Sequence, residues 1–144
     1  MTTESVSSPT DTNLSATARD FSVNDRVVII TGAGQGIGRE LARQFAAAGA
    51  KTIIADLSIQ NAESVAAEIN SSGGNALAVA VDVSKKESAD MMVAATLKAF
   101  GRVDILVNNA SLFSNLVKRP FDEISAAEWQ KVMDVNINGV FFCA

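Results

Sequence analysis

Four polar residues follow or interrupt apolar runs, and each could bind a small molecule. Asp56 and Asp82 close two apolar runs, Asn109 follows another, and Asn136 lies in an apolar stretch. Carboxylates accept hydrogen bonds, whereas amides both donate and accept them. The 144 residues include no His and no Tyr, so the commonest general base and one common proton donor are missing. Chemistry done by this sequence alone must therefore use other groups.

A glycine-rich run, TGAGQGIG, occupies residues 31–38 and precedes a helical pattern. It does not fit the G-x-G-x-x-G fingerprint, because Ile37 stands where the third glycine is required. No GK[ST] follows, which argues against a triphosphate loop. At the start of a helix, such a run offers a phosphate free backbone N–H groups and the positive end of the helix dipole. We predict a phosphate-binding loop, with a glycine-rich turn that binds nothing as the alternative.

The elements that must position these residues alternate along the sequence. Apolar runs predict four strands, each followed by a helix, at residues 26–31, 51–56, 76–81 and 103–108. Capping-box spacing at Ser84 with Glu87, and at Ser125 with Glu128, predicts two helix starts. Alternation with fully apolar strands predicts an α/β fold with a doubly wound parallel sheet. If strand 4 pairs with strand 1, the strand order is 3-2-1-4, and ligands bind where the carboxyl ends of strands 1 and 4 meet.

The first 24 residues differ from the rest, since they are rich in Ser, Thr, Asn and Asp and show no apolar period. We predict a flexible tail over residues 1–24, without the apolar core of a secretory signal, and one domain over residues 25–144. A net charge of -4 without a basic cluster argues against a nucleic-acid partner. No apolar stretch approaches the roughly 18 residues that span a bilayer. The single cysteine, Cys143, excludes an intrachain disulfide and suggests no metal site. We expect a cytoplasmic protein.

Asp56 indicates which nucleotide the loop would bind. It lies 24 positions after Gly32, at the end of the second predicted strand. An acid about 20 residues downstream of such a loop suits a hydrogen bond from a ribose 2′-hydroxyl. It would repel a 2′-phosphate, and no Arg or Lys lies at residues 55–60 to receive one. NAD is therefore favoured over NADP, and a solvated acid at a strand end is the alternative.

The remaining polar residues admit both a binding and a structural interpretation. Asp82 could accept a hydrogen bond from an adenine amino group, whereas Asn108 and Asn109 could bind backbone groups between strands. Asn136 falls on the face that we predict to be buried in the last helix, because it continues the spacing of Trp129, Val132, Met133 and Val140. A buried amide left unpaired costs roughly 1–3 kcal/mol. Asn136 therefore needs backbone, water or substrate as a partner.

Four motifs together resemble one family. TGAGQGIG at residues 31–38 resembles the T-G-x-x-x-G-I-G loop of the short-chain dehydrogenases/reductases, and NNAS at 108–111 resembles their N-N-A-G motif. DV at 82–83 and DVNINGVF at 134–141 match as well. The resemblance implies a Rossmann fold and a nicotinamide cofactor. It also implies hydride transfer between NAD(H) and a small-molecule carbonyl or secondary alcohol, often in a homo-oligomer.

The resemblance also implies a role for each matching residue. The implied cofactor-binding residues are Gly32, Gln35, Gly36, Ile37 and Gly38 for the pyrophosphate and its ribose, Asp56 with Leu57 for the adenosine ribose, Asp82 and Val83 for adenine, and Asn109, Ala110 and Ser111 for the nicotinamide side. Asn136 matches the catalytic asparagine, which helps to hold a water in the proton relay. Ser111 stands where the family has glycine, which leaves the local backbone angles open.

The family's catalytic serine and its Tyr-x-x-x-Lys pair would lie beyond residue 144. The resemblance therefore implies the N-terminal part of a longer enzyme, a piece that binds cofactor but is inactive alone. Strand 4 and the final helix would then expose apolar residues. One alternative is a non-catalytic NAD-binding module. Another is a sugar-nucleotide epimerase or reductase, although its T-G-x-x-G-x-x-G loop does not fit residues 31–38.

Overall fold

The computed structural model describes residues 22–113 and 116–144, which form a parallel sheet with helices around it. The strands are β1 (Val27–Thr31), β2 (Lys51–Asp56), β3 (Asn75–Ala80) and β4 (Ile105–Val107). The helices between them are α1 (Gly36–Ala47), α2 (Ile59–Ser71) and α3 (Lys86–Phe100). A 3-10 turn (Phe121–Glu123) precedes the last helical segment, which consists of α4 (Ala126–Met133), a π-helical turn (Asp134–Asn138) and α5 (Gly139–Cys143).

The strand order is β3-β2-β1-β4, and every pairing is parallel. Val28 of β1 stands opposite Thr52 of β2 on one side and opposite Ile105 of β4 on the other. The predicted α/β fold and the order 3-2-1-4 are therefore confirmed. Because β1 lies between β2 and β4, the chain reverses its winding direction there, and a crevice opens at the carboxyl ends of the strands.

Successive side chains of a strand point to opposite faces of the sheet, and each face has its own hydrophobic core. Val28 and Ile30 point to the face that α1 and α2 cover, where they pack with Ala42 and Val65. Val27 and Ile29 point to the other face, where the core contains Met92 of α3 and Cys143 of α5, among others. Both faces of the sheet are thus covered, which explains why β1 is apolar at four successive positions.

The two predicted capping boxes have different outcomes. Ser125 accepts a hydrogen bond from the Glu128 N–H at 3.1 Å, so the start of α4 is confirmed. The box at Ser84 is wrong, because α3 begins only at Lys86 and its N-cap is Lys85, which makes no side-chain capping hydrogen bond. The Ser84 hydroxyl donates instead to Asp82 Oδ1 at 2.6 Å.

The apolar face predicted for the last helix is partly wrong. Trp129 is 56% exposed and Val140 is 42% exposed. Helical spacing identifies an apolar face, but α4 has no buried residue. Beyond it, the Gly139 N–H bonds to the Asp134 carbonyl five residues earlier, which widens the turn and shifts the face that follows.

The predicted tail, residues 1–24, falls outside the described residues up to residue 21, and residues 22–24 adopt neither helix nor strand. Within the described ranges, none of the helices combines the length and apolar character needed to cross a membrane.

Candidate functional site

A cleft of about 1170 Å³ lies at the carboxyl ends of the strands, between the loop before α1 and the start of the last helical segment. Most of the residues that the sequence singled out line it, and these are Gly32, Gln35, Ile37, Gly38, Asp56, Leu57, Asp82, Val83, Asn109, Ala110 and Ser111. Gly36, Asn108 and Asn136 do not belong to this lining. The fold thus brings together residues from four separate stretches of the sequence.

Two positions of the glycine loop require glycine for different reasons: Gly38 because neighbouring atoms approach it closely, and Gly36 because of its backbone conformation. A Cβ at Gly38 would overlap the Gly32 carbonyl oxygen and lie 2.5 Å from Asn109 Nδ2, so no larger residue fits. Gly36 has a φ of +55°, and nothing lies within 4 Å of where its Cβ would be. The loop therefore packs tightly against the protein at Gly38 and leaves space at Gly36, as close approach of a ligand requires.

Asp56 is anchored at the wall of the cleft. Its Oδ2 accepts a hydrogen bond from the Gly34 N–H at 2.8 Å, and its Oδ1 accepts one from the Ser58 N–H at 2.9 Å. The neighbouring Leu57 side chain is exposed. Since each carboxylate oxygen can accept a further hydrogen bond, Asp56 presents a fixed acceptor to the cleft.

Asp82 is held in a similar way at the end of β3. Its Oδ1 accepts hydrogen bonds from the Ser84 N–H at 3.0 Å and from the Ser84 hydroxyl. The next residue, Val83, has its side chain in the core, where Gly139 approaches so closely that a Cβ there would lie 2.9 Å from Val83 Cγ2. Asp82 can therefore use its side chain toward a ligand, whereas the Val83 side chain packs away from it.

Asn109 uses its side chain to join β4 to the glycine loop. Its Nδ2 donates to the Thr31 carbonyl at 2.9 Å and to the Gly32 carbonyl at 3.2 Å. The Thr31 hydroxyl in turn accepts from the N–H groups of Asn109 and Ala110, both at 3.1 Å. Of the two asparagines, Asn109 binds backbone groups, as the structural interpretation expects, while Asn108 is exposed.

Sequence reasoning missed Thr31, although it is the polar residue that ends the apolar run of β1. It is buried, and its hydroxyl also donates to the Val107 carbonyl at 3.4 Å. A buried hydroxyl must find partners, and this rule was the available signal. Two lysines that the sequence did not single out, Lys85 and Lys131, also line the cleft.

Asn136 pairs with the backbone of Leu112 rather than with an open cavity. Its Oδ1 accepts from the Leu112 N–H at 2.8 Å, and its Nδ2 donates to the Leu112 carbonyl at 3.2 Å. The residue lies in the π-helical turn and ties it to the segment after β4. Asn136 is half-buried rather than buried as predicted, and of the partners expected for its amide the structure shows backbone.

Ser111 is exposed at the cleft. The only non-glycine residue with a positive φ in the described part of the chain is Asp25. Ser111 therefore adopts a backbone conformation that any residue can adopt. Serine in place of the family's glycine causes no backbone strain at this position.

A family model described as short chain dehydrogenase matches residues 26–144. The chain belongs to the short chain dehydrogenase family. It is 44% identical over 124 residues to a short chain dehydrogenase/reductase of Aspergillus oryzae, covering 85% of this chain and 47% of that protein. It is 42% identical over 120 residues to a galactitol 2-dehydrogenase of Agrobacterium fabrum, covering 83% of this chain and 44% of that protein. This short chain dehydrogenase sequence spans about half the length of the curated relatives it matches.

Solved structures of the family have the same fold. A 3-ketoacyl-(acyl-carrier-protein) reductase from Brucella melitensis, complexed with NADH, is 41% identical with a TM-score of 0.78 and covers 85% of this chain and 48% of its own. A short chain dehydrogenase/reductase from Burkholderia phymatum, in complex with NAD, is 32% identical with a TM-score of 0.80 and covers 85% and 43%. Both neighbours bind a nicotinamide cofactor, which supports one for this short chain dehydrogenase.

The residues of the cleft fit a dinucleotide. The loop before α1 leaves open space at Gly36, and Asp56 offers a fixed acceptor at the end of β2. Asp82 offers a second carboxylate at the end of β3. The two carboxylates suit hydrogen-bond donors and the start of α1 suits an anionic group, and a dinucleotide carries both.

Proposed function

We propose that this short chain dehydrogenase binds NAD in the cleft and contributes to hydride transfer between the nicotinamide and a carbonyl or secondary alcohol. The observation that carries the proposal is the anchored carboxylate of Asp56, which lines the same cleft as the glycine loop. An acceptor at the end of the second strand suits the adenosine ribose. Membership of the family and the nicotinamide cofactors of its solved members support the same conclusion.

Each part of the cleft has a proposed task. The loop residues Gly32, Gln35, Gly36, Ile37 and Gly38 hold the pyrophosphate and its ribose, Asp56 with Leu57 the adenosine ribose, Asp82 with Val83 the adenine, and Asn109, Ala110 and Ser111 the nicotinamide side. Backbone N–H groups and the helix dipole at the start of α1 favour the anionic pyrophosphate. Asn109 would act by holding the loop in place, since its amide is bonded to two carbonyls of that loop.

We propose NAD rather than NADP as the cofactor. A carboxylate that accepts from the 2′-hydroxyl would repel a phosphate at the same position. No Arg or Lys occurs at residues 55–60 to neutralise such a phosphate. Asp56 therefore favours the nucleotide without the added charge.

The proton accompanying the hydride needs a donor that these residues do not supply. When bound, the nicotinamide provides the hydride acceptor or donor. The 144 residues contain neither Tyr nor His, and Asn136 has its amide engaged with Leu112. We infer that Asn136 holds the segment after β4 beside the proposed nicotinamide site, and that the chain alone binds NAD without turning over a substrate.

Calorimetric titration of the full chain with NAD⁺ and with NADP⁺ tests the proposal. We expect NAD⁺ to bind at least about tenfold more tightly than NADP⁺, because a single charged contact is worth about that factor. Asp56→Asn should reduce the ratio between the dissociation constants of NADP⁺ and NAD⁺. Glu63→Gln removes an exposed charge on α2 outside the cleft and serves as the matched control. Tighter binding of NADP⁺, or binding of neither nucleotide, would contradict the proposal.

A non-catalytic NAD-binding module is the second candidate, favoured for the chain by its lack of Tyr and His. The coding sequence past residue 144 separates the two candidates, because the dehydrogenase requires a Ser and a Tyr-x-x-x-Lys pair there. Neither candidate expects NADH absorbance to rise when the chain alone is incubated with NAD⁺ and a panel of secondary alcohols. Turnover by the chain alone would show that its own residues supply the proton transfer. The homo-oligomer implied by the resemblance stays a prediction.

A further inference from the structure

Gly34 is the one glycine of residues 31–38 that the family resemblance leaves without a role. Its N–H donates to Asp56 Oδ2 at 2.8 Å. A Cβ at this position would lie 2.7 Å from Asn61 Cβ and 2.8 Å from both Cγ and Oδ2 of Asp56. Its φ is not in the left-handed region that favours glycine. Glycine is therefore required here by the space between Asp56 and Asn61, not by the backbone angles.

The Asp56 carboxylate is clamped between two segments. Gly34 of the loop before α1 bonds to Oδ2, and Ser58 at the start of α2 bonds to Oδ1 through its own N–H at 2.9 Å. Ser58 is itself fixed as the cap of α2, since its hydroxyl accepts from the Asn61 N–H at 3.3 Å. The Ala33 N–H, bonded to the Ala55 carbonyl at 3.2 Å, holds the same loop against β2. The position of the carboxylate thus depends on how closely the loop approaches.

We propose that Gly34 is a positioning residue that sets Asp56 to accept a hydrogen bond from the 2′-hydroxyl of the adenosine ribose. The inference rests on the proposed function, in which Asp56 binds that ribose. A methyl group at position 34 must displace the carboxylate or the start of α2, because both lie closer than carbon atoms can approach. Hydrogen bonds weaken steeply once distance and angle depart from their optimum, so a displaced Asp56 loses its selectivity for the hydroxyl.

The probe is a pair of ligands, NAD⁺ and its analogue lacking only the 2′-hydroxyl of the adenosine ribose. The ratio of their dissociation constants measures the hydroxyl contact, and general loss of stability leaves that ratio unchanged. In the unsubstituted full chain we expect NAD⁺ to bind at least about tenfold more tightly than the analogue. Asp56→Ala should abolish the preference, and Gly34→Ala should reduce it to below about threefold.

Gly74→Ala is the matched control. A Cβ at Gly74 would lie 2.6 Å from Ile69 Cγ2, a comparable collision, but in a part of the chain that does not line the cleft. It should weaken the fold while keeping the preference for the hydroxyl. The double variant Gly34→Ala with Asp56→Ala should match Asp56→Ala alone, because Gly34 acts through Asp56.

The outcomes distinguish the role of Asp56 at the ribose from the role of Gly34 in positioning it. No preference in the unsubstituted chain, or an unchanged preference in Asp56→Ala, would overturn the assignment of Asp56 to the ribose. A preference that depends on Asp56 but survives Gly34→Ala would overturn the role of Gly34 alone. If Gly34→Ala does not fold, adding Asn61→Gly removes one of the two collisions and leaves the one with Asp56, so the same loss of preference is expected.

Discussion

Asn109 donates two hydrogen bonds to Thr31, one from its side chain and one from its backbone. The Asn109 side chain donates to the Thr31 carbonyl at 2.9 Å, and the Thr31 hydroxyl accepts from the Asn109 N–H at 3.1 Å. Through this pair the end of β4 is tied to the end of β1, directly beside the glycine loop. The geometry of the proposed pyrophosphate site therefore depends on a residue 78 positions further along the chain.

Asn109→Ala should lower the free energy of unfolding by about 1–3 kcal/mol, because two part-buried carbonyls lose their donor. Asn109→Asp should cost more, since it places a carboxylate against the same two carbonyl oxygens. Urea unfolding of both variants measures the order. The exposed neighbour Asn108 provides the control, as Asn108→Asp should change stability by less than about 0.5 kcal/mol. Equal costs at the two positions would refute the tie between the strands.

Gly36→Val should abolish NAD binding. A branched side chain at a φ of +55° is strained, and it would fill the open space next to the loop. We expect the affinity for NAD⁺ in calorimetry to fall by at least about a hundredfold.

Gly73→Val is the control for Gly36→Val, because Gly73 also has a positive φ, of +84°, and open space around its Cβ position. It follows α2 and lies outside the glycine loop of residues 31–38. It should carry similar strain and keep NAD binding. If both variants lost affinity to the same extent, strain would explain the effect and our placement of the pyrophosphate would be wrong.

Asn136→Ala should destabilise the chain by about 1–3 kcal/mol, because the N–H and carbonyl of Leu112 both lose their partner. Chemical denaturation monitored by Trp129 fluorescence gives the value. Ile137→Ala, at an exposed position of the same turn, should have little effect. An unchanged stability for Asn136→Ala would show that the pairing with Leu112 contributes nothing to the fold.

Asp104 should make stability depend on pH in the acid range. Its Oδ2 accepts from the Val27 N–H at 2.8 Å, and Arg102 and Arg26 pair with its Oδ1. These contacts, led by the Val27 N–H, hold the pKa of Asp104 below its ordinary value of 3.8. A carboxyl whose pKa is lower in the folded state stabilises that state above its ordinary pKa and loses this contribution as the pH falls through the lower value.

Asp104→Asn should therefore lower the melting temperature at about pH 7, and the difference from the unsubstituted chain should shrink at pH values below the ordinary pKa of Asp104. Thermal denaturation followed by circular dichroism over this range measures both. Asp122→Asn, at an exposed acid, should give nearly the same melting temperature as the unsubstituted chain at every pH. A difference for Asp104→Asn that grew toward low pH would contradict the assigned sign.

Local pattern was sufficient for the elements and their order. Apolar runs and glycine punctuation predicted all four strands, and the β-branched run of β1 indicated a strand buried on both faces. The strand order 3-2-1-4 and the ligand crevice followed from rules of α/β connection, and the glycine loop with Asp56 pointed to a nucleotide. These features depend on spacing within a few residues, or on topology that most such folds share.

The amino-acid sequence by itself determined the fold class, the loop and the acid at the end of β2. Each of these depends on a pattern of neighbouring residues, namely an apolar run, a glycine run or the residue that ends a strand. Only the tertiary structure decided which atoms those residues bind. Asn109 reaches Thr31, Asn136 reaches Leu112, and Gly34 clamps Asp56. The exposure of Trp129 was decided there too. Such pairings join positions 22 to 78 residues apart, and a hydrogen bond needs its two atoms within about 3 Å, a condition set by the path of the folded chain rather than by sequence spacing.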